Sequence, residues 1–569
     1  MWRKEVREQM VDPVTVEVIR HALIYASEEM GVVLRNTAFS PNIRDRLDHS
    51  CAVLTPSGDL LAQAEHIPVH LGSMPVGAKN LVRYLEKEGE ELGPDDVVLT
   101  NDPYISGTHL NDLMVLKPVY VGDKLVALVA NKAHHVDVGG AVPGSIGGGA
   151  KLLLEEGTVI PPVKIVENGE LRRDIVRLIQ ANVRTPRYFQ GDLMAQIAAL
   201  RLGEKRVREL AEKYGAEALL EAWSEILGYT ERYTRNRLVE LVEKHGKAGV
   251  YEAEDYLELS SGELARIHAR VEITRERIRV DYTGSHSQVD EPLNAVYGVT
   301  VAATTYALKS VIDPDMPMNH GFYRVVEIHA PRGTIVNPEP PAPVGGGNVE
   351  TSQRIADVVL RALADAFPDK VPAASCGTMT NVTVGGRAWA FYETIGCGTG
   401  ARPCCDGVDG VHTNMTNTLN TPIEVIETEY PVLFKAYELR PNSGGAGKYR
   451  GGLGITRAFT VLEEATVTVF SERYRLRPWG LRGGKPGQSS HHYVVRANGE
   501  KIELGAKKTI VLRPGDTVYI NTPGGGGYGD PCQRDEQLIL QDLEDGKITL
   551  DHARREYCYT PETKQSTKK

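Results

Sequence analysis

The chain has 569 residues, 65 Lys and Arg against 75 Asp and Glu, and a net charge of −10, so it lacks the basic footprint of a nucleic-acid binder. Its 41% hydrophobic and 25% charged content is that of a globular protein, and no apolar run reaches the ~20 residues of a membrane-spanning helix. Seven cysteines, an odd number with no Cys-x-x-Cys spacing, predict reduced thiols in a cytoplasmic protein rather than a disulfide framework, and the opening Met1-Trp2-Arg3-Lys4-Glu5 leads into no secretion signal.

Asp12-Pro13 reads as the N-cap and first residue of a helix with Val16, Ile19, Leu23, Ala26, Met30, Val33 and Leu34 at helical spacing. Residues 50–54 and 60–64 read as strands around the turn Pro56-Ser57-Gly58-Asp59, and residues 72–86 as a second helix. A second hairpin pairs residues 113–120 with 125–131 around Gly122-Asp123. Residues 139–149, with six glycines and Pro143, form a loop, and residues 189–244 are helical. Beyond Tyr251 the chain turns to strands, with 277–282 the clearest and helices at 300–311 and 350–367. Gly524 to Gly527 predicts a tight turn, 534–556 a charged helical tail, and the last residues disorder. The fold class is therefore α+β, a mixed chain of several substructures. An N-terminal α/β region (1–185) rich in helices and hairpins precedes a helical segment (186–246), a strand- and Gly-rich region (247–532) and the tail (533–569).

Six of the sixteen histidines fall between residues 45 and 137, among Asp45, Asp48, His49, His66, His70, Asp102, His109, Asp112, His134, His135 and Asp137. A mixed His/Asp set suits a divalent ion such as Zn, Mn or Fe(II). If Gly122-Asp123 is a two-residue turn, facing positions sum to 245, and Asp112 lies beside His134. His109 precedes the strand, where irregular backbone can turn its ring back. His134 and His135 point to opposite faces, so only one of them joins the set. The first hairpin sums to 115 and brings Asp48 near His66, making Asp48 a candidate fourth ligand. His66 and His70 read as hydrogen-bonded structural histidines. Asp45 reads as a carboxylate orienting a ligand or as a solvated turn residue.

Other motifs carry less. Gly144-Ser145-Ile146-Gly147-Gly148-Gly149-Ala150-Lys151 lacks the Gly-Lys-Ser/Thr end of a P-loop, so ATP is not expected to bind there. Cys404-Cys405 has no placed base and reads as structural, and no Gly-x-Ser-x-Gly elbow is present.

Longer strings resemble the hydantoinase B family, which includes the B-type chains of N-methylhydantoinases and the corresponding parts of 5-oxoprolinases and acetone carboxylases. They include Asp45-Arg46-Leu47-Asp48-His49-Ser50-Cys51, His66-Ile67-Pro68-Val69-His70-Leu71-Gly72-Ser73-Met74 and Gly107-Thr108-His109-Leu110-Asn111-Asp112. Gly345-Gly346-Gly347-Asn348-Val349-Glu350-Thr351-Ser352-Gln353-Arg354 and Asn521-Thr522-Pro523-Gly524-Gly525-Gly526-Gly527-Tyr528-Gly529 follow in order. The resemblance runs from about residue 12 to about residue 532. It implies a division of labour in which a partner, a hydantoinase A-type ATPase subunit, uses ATP to phosphorylate a carbonyl oxygen. The B-type chain, which binds no ATP itself, completes hydrolysis of a cyclic amide such as a hydantoin, lactam or 5-oxoproline. The family's manganese-site pattern, His-x-x-Asp with a later His, matches His109, Asp112 and His134. That implies one divalent ion, Mn or Zn, with Asp48 as fourth ligand or proton-accepting base and Asp45 as a second catalytic carboxylate. The implied assembly is a hetero-oligomer with two or more copies. A component of an ATP-dependent ketone carboxylase and a non-catalytic scaffold for the A-type partner are the alternatives.

Overall fold

The computed structural model describes residues 11–64 and 66–560. The expectations for the extreme N-terminus and for a disordered end fall outside these residues. Asp12 caps the first helix, Pro13–Thr37, its carboxylate accepting the backbone N–H groups of Val14 and Thr15 at 3.0 and 3.1 Å.

The first sheet is antiparallel throughout. Its strands are β1 (His49–Leu54), β2 (Leu60–Gln63), β3 (Val97–Thr100), β4 (Asp112–Val121), β5 (Lys124–His134), β6 (Val163–Glu167) and β7 (Glu170–Leu171), in the order β2-β1-β5-β4-β3-β6-β7. Both faces are buried, and the alternation shows how. Cys51, Val53, Leu113, Val115 and Val129 face one core with Leu23, Met30, Leu34, Leu193 and Leu200. Ala52, Leu54, Met114, Leu116, Leu128 and Ala130 face another with Met74, Ala78 and Leu81 of the helix Pro68–Glu88. That helix starts four residues before the expected 72, because Pro68 serves as its first residue, so His70 lies in its first turn. The helical stretch resolves into Pro186–Tyr214 and Ala216–Glu243, and the expected tail helix into Glu536–Glu544 and Leu550–Glu556.

The second sheet comprises β8 (Gly249–Glu258), β9 (Leu264–Ile273), β10 (Ile278–Asp281) and β11 (Val326–His329), in the order β11-β10-β9-β8. The helices Tyr297–Ile312 and Ser352–Leu363 share its core; a π-turn, Gly347–Thr351, precedes the latter. The remaining strands are β12 (Asn381–Gly385), β13 (Ala390–Thr394), β14 (Val432–Leu439), β15 (Ile455–Val461), β16 (Ala465–Phe470), β17 (His491–Val495), β18 (Lys501–Glu503), β19 (Lys507–Leu512) and β20 (Thr517–Asn521). They form two sheets, β13-β12-β16-β19 and β14-β15-β20-β17-β18, around a shared core that includes Val384, Val467, Ile455 and Ile520. The architecture is thus the expected α+β mixture.

Two expectations are corrected. Residues 524–527 make no tight turn. They run as irregular backbone against two other Gly-rich segments, with Gly525 N–H donating to Gly452 O and Gly452 N–H to Thr399 O, both at 2.9 Å. A Cβ on Gly525 would sit 1.9 Å from Thr399 O, so close backbone approach explains the glycine. The cysteines are also not all reduced: Cys376 pairs with Cys397, and Cys532 with Cys558. Folding brings these distant positions to Cα separations of 6.0 and 5.3 Å, which spacing along the chain did not reveal. Cys51, Cys404 and Cys405 remain free thiols. No helix among the described residues is long and apolar enough to cross a membrane.

Candidate metal centre

The site lies at one end of the first sheet, on the face covered by Pro68–Glu88. The β4–β5 hairpin turns at Gly122-Asp123 with Val121 facing Lys124, and facing positions there sum to 245 as expected. A bulge between Val119 and Tyr120 shifts the register by one, so Asp112 faces His134 directly. Below Asp112 the chain turns tightly, Asp112 N–H donating to His109 O at 3.1 Å, which swings the His109 ring back over the strand end. Gly107, at φ 84°, shapes the approach to that turn, and a Cβ on Gly298 would meet Gly107 O at 2.5 Å.

Three ligand atoms meet. His109 Nε2 lies 3.2 Å from His134 Nδ1 and 3.3 Å from Asp112 Oδ1, and His134 Nδ1 lies 3.4 Å from Asp112 Oδ1. For comparison, adjacent ligands of a tetrahedral ion with ~2.0 Å bonds stand about 3.3 Å apart. Among the described residues these three form the one cluster with metal-ligand spacing. The fit has a second support. Both Asp112 carboxylate oxygens are buried without a hydrogen-bond partner, an expensive arrangement unless something binds there. Two imidazoles and one carboxylate with open positions suit a borderline divalent ion.

The surroundings fix these groups. His109 Nδ1 lies 3.3 Å from Gly345 O; donating its proton there leaves Nε2 as the free lone pair. Gly345 is itself held, because buried Glu156 accepts its N–H at 2.8 Å and that of Val344 at 3.0 Å. Burial pushes the Glu156 carboxyl up to about 7. The His134 ring stacks on Tyr392, centroids 4.6 Å apart and planes within 9°. Tyr392 O–H donates to Asn381 Oδ1 at 2.8 Å, whose amide donates to Glu350 Oε1 at 2.8 Å. The C-terminal half therefore contributes a wall to a site whose ligands come from the N-terminal half.

Charge follows the same geometry. Asp112, although burial works against its charge, is held well below the usual carboxylate range by His109 and His70. His109 is raised, Asp112 outweighing burial, whereas burial lowers His134. Lys132, on the same strand face as His134, donates to Ser106 O at 2.7 Å and to Ser73 Oγ at 3.2 Å; burial lowers its pKa to about 7.

The other candidates separate. Asp48 Oδ2 lies 3.8 Å from His134 Nδ1 and 3.8 Å from Arg46, at the edge of the cluster. It arrives through pairing of β1 with β5, which sets His49 opposite Ala133, and not through the first hairpin. Asp45 is turned away, its carboxylate 2.8 Å from Arg44. His135 points to the opposite sheet face, bonding Gln196 Oε1 at 3.0 Å, as strand alternation predicts. His66 pairs with Glu28 at 3.2 Å. Asp102 caps the short helix Pro103–Ser106, and Asp137 binds the N–H groups of Gly139, Gly144 and Arg184.

His70, read from sequence as structural, belongs at the site. Its Nδ1 lies 2.9 Å from Ser50 Oγ and its Nε2 3.4 Å from Asp112 Oδ2, the oxygen not shared with His109 and His134. It also lines a pocket of about 220 Å³ with Ser50, Gln63, Ile67, Leu71 and Tyr306. A signal existed in Pro68, which starts the helix early enough to fix where His70 points. For Tyr392 and Glu156 no local signal existed.

Residues 12–531 match the family model described as Hydantoinase B/oxoprolinase. The 5-oxoprolinase 1 of Arabidopsis thaliana is 37% identical over 92% of this chain, which spans only 42% of that relative. The putative B-type chain of a D-/L-hydantoinase from a Pseudomonas species is 32% identical, over 97% of this chain and 95% of its own. Among solved structures, the ATP-dependent caprolactamase of Pseudomonas jessenii superimposes with a TM-score of 0.90 at 30% identity, covering 97% of each chain.

Proposed function

Because the chain belongs to the hydantoinase B/oxoprolinase family, we propose that it is the ring-opening component of an ATP-dependent cyclic-amide hydrolase. The observation that carries this reading is the buried His109–Asp112–His134 cluster beside a pocket of about 220 Å³. The names of the relatives support it. One similar protein is named as the putative B-type chain of a D-/L-hydantoinase and another as an ATP-dependent caprolactamase, and hydantoins and caprolactam are both cyclic amides. The chain also spans 42% of a 5-oxoprolinase, which leaves room in that relative for the other half of such a reaction.

A cyclic amide is a poor electrophile. A hydantoinase A-type ATPase partner transfers the terminal phosphoryl group of ATP to its carbonyl oxygen. Water then adds to the activated carbon, the ring C–N bond breaks with a proton going to nitrogen, and a second water cleaves the resulting acyl phosphate to carboxylate and phosphate. His109, Asp112 and His134 would hold a divalent ion, which when bound would supply Lewis acidity that lowers the pKa of water towards neutrality; Mn and Zn both suit the donors. Asp48 completes the ligand set or takes the proton from water; salt-bridged Asp45 is the weaker candidate for that role. Gly345 O holds His109 in the tautomer with a free Nε2. Ser50 and His70 orient Asp112 and form the wall shared with the pocket, where the ring is bound away from bulk water. The working assembly is a hetero-oligomer with two or more copies, in the cytoplasm where ATP is available.

The test is reconstitution with the A-type partner. Product should form from a hydantoin, a lactam or 5-oxoproline only with both chains and ATP, and the pure chain should not hydrolyse ATP. Carboxylation of a ketone with bicarbonate would replace this reading by the carboxylase one. Full activity of a variant lacking both His109 and Asp112 would leave only a scaffold role.

A further inference from the structure

We propose that Cys404 and Cys405 form a chelating dithiol site for a single thiophilic atom of the trivalent-arsenic class, separate from the metal centre. Their sulfurs lie 3.3 Å apart, with Cys404 exposed and Cys405 half-buried. Of the other five cysteines, four are paired in disulfides and Cys51 is buried. This is the one pair of neighbouring free thiols that a reagent can reach.

The turn that carries the sulfurs is anchored on both shoulders. Arg402 N–H donates to Cys405 O at 3.0 Å and Cys405 N–H to Arg402 O at 3.4 Å, closing a turn over Pro403 and Cys404. Before it, Ala401 N–H donates to Gly526 O at 2.9 Å, in the close-packed Gly-rich segment. After it, Asp406 takes both Arg534 terminal nitrogens at 2.7 and 2.8 Å and the Arg450 N–H at 2.7 Å, and Gly407 N–H donates to Arg450 O at 2.7 Å. A dithiol whose backbone is already fixed loses little conformational freedom on binding a bridging atom.

The spacing suits the ligand. An atom with sulfur bonds of ~2.3 Å spans 3.3 Å at an angle of about 90°, that of a pyramidal trivalent centre. Closure to a disulfide would need contraction to about 2.0 Å and an oxidant. With an organoarsenic(III) oxide the balance is simple. Two S–H bonds break, two As–S bonds form, and the oxide oxygen leaves as water with both thiol protons. No oxidation state changes.

The test uses phenylarsine oxide on the full-length chain, purified without reductant so that both disulfides stay closed, with intact mass as the readout. One adduct per chain is expected, reversed by a small dithiol and resistant to excess monothiol. Cys404→Ser and Cys405→Ser should each weaken it at least ~10-fold, since one sulfur cannot chelate, while Cys51→Ser leaves it unchanged. No adduct on the wild-type chain, or an equal adduct on Cys405→Ser, would overturn the proposal.

Discussion

The wall that Tyr392 provides can be separated into its two parts by two substitutions. Tyr392→Phe keeps the ring over His134 and removes the hydroxyl that donates to Asn381 Oδ1 at 2.8 Å. It leaves a buried acceptor unpaired, so stability should fall by about 1–3 kcal/mol while metal affinity stays near wild type. Tyr392→Leu removes the stack as well. An aromatic pair contributes about 0.5–1.5 kcal/mol beyond area burial, so the freed His134 ring should bind metal about 2- to 13-fold more weakly. The cavity adds a stability loss of about 2–4 kcal/mol. Calorimetric Zn titration and urea unfolding of the metal-free proteins measure the two effects independently. The reasoning fails if Tyr392→Phe weakens metal binding as much as Tyr392→Leu, because the ring would then not be what holds His134.

Two further outcomes follow from the same geometry. Metal and proton compete for His109 Nε2, and Asp112 raises the pKa of that imidazole. The raised value keeps the proton on to higher pH, so affinity should climb with pH up to that pKa, by up to about one log unit per pH unit, and then level off. Zn titrations between about pH 5.5 and 8 check this, and a flat profile would contradict it. His135→Ala should leave metal content unchanged while costing about 1–3 kcal/mol, because it strips the partner from buried Gln196 Oε1 on the far side of the sheet; urea unfolding beside metal analysis separates the two.

Local patterning made part of the site legible. Gly122-Asp123 and the apolar runs beside it identify the β4–β5 hairpin, and counting back from the turn brings Asp112 to His134. The one-residue bulge near Tyr120 improved that alignment and was not visible, because bulges depend on sheet twist and neighbouring strands. Asp48 reaches the site through the β1–β5 pairing and not through the first hairpin, and sequence shows hairpins more readily than pairings between non-consecutive strands. Tyr392 lies in β13, where all five residues are buried, so nothing in the pattern marks it as special. The two disulfides and the stacking of Gly-rich segments are tertiary facts of the same kind. Pro68, by contrast, marks the helix boundary in the sequence itself, and with it the place of His70 in the first turn.

The central claim is one divalent ion per chain at His109, Asp112 and His134. Metal analysis of the purified chain beside His109→Ala and His134→Ala tests it most directly. The account predicts about one ion in the wild type and almost none in either variant, with turnover of the reconstituted pair down ~100-fold or more. Unchanged metal content in both variants would contradict it.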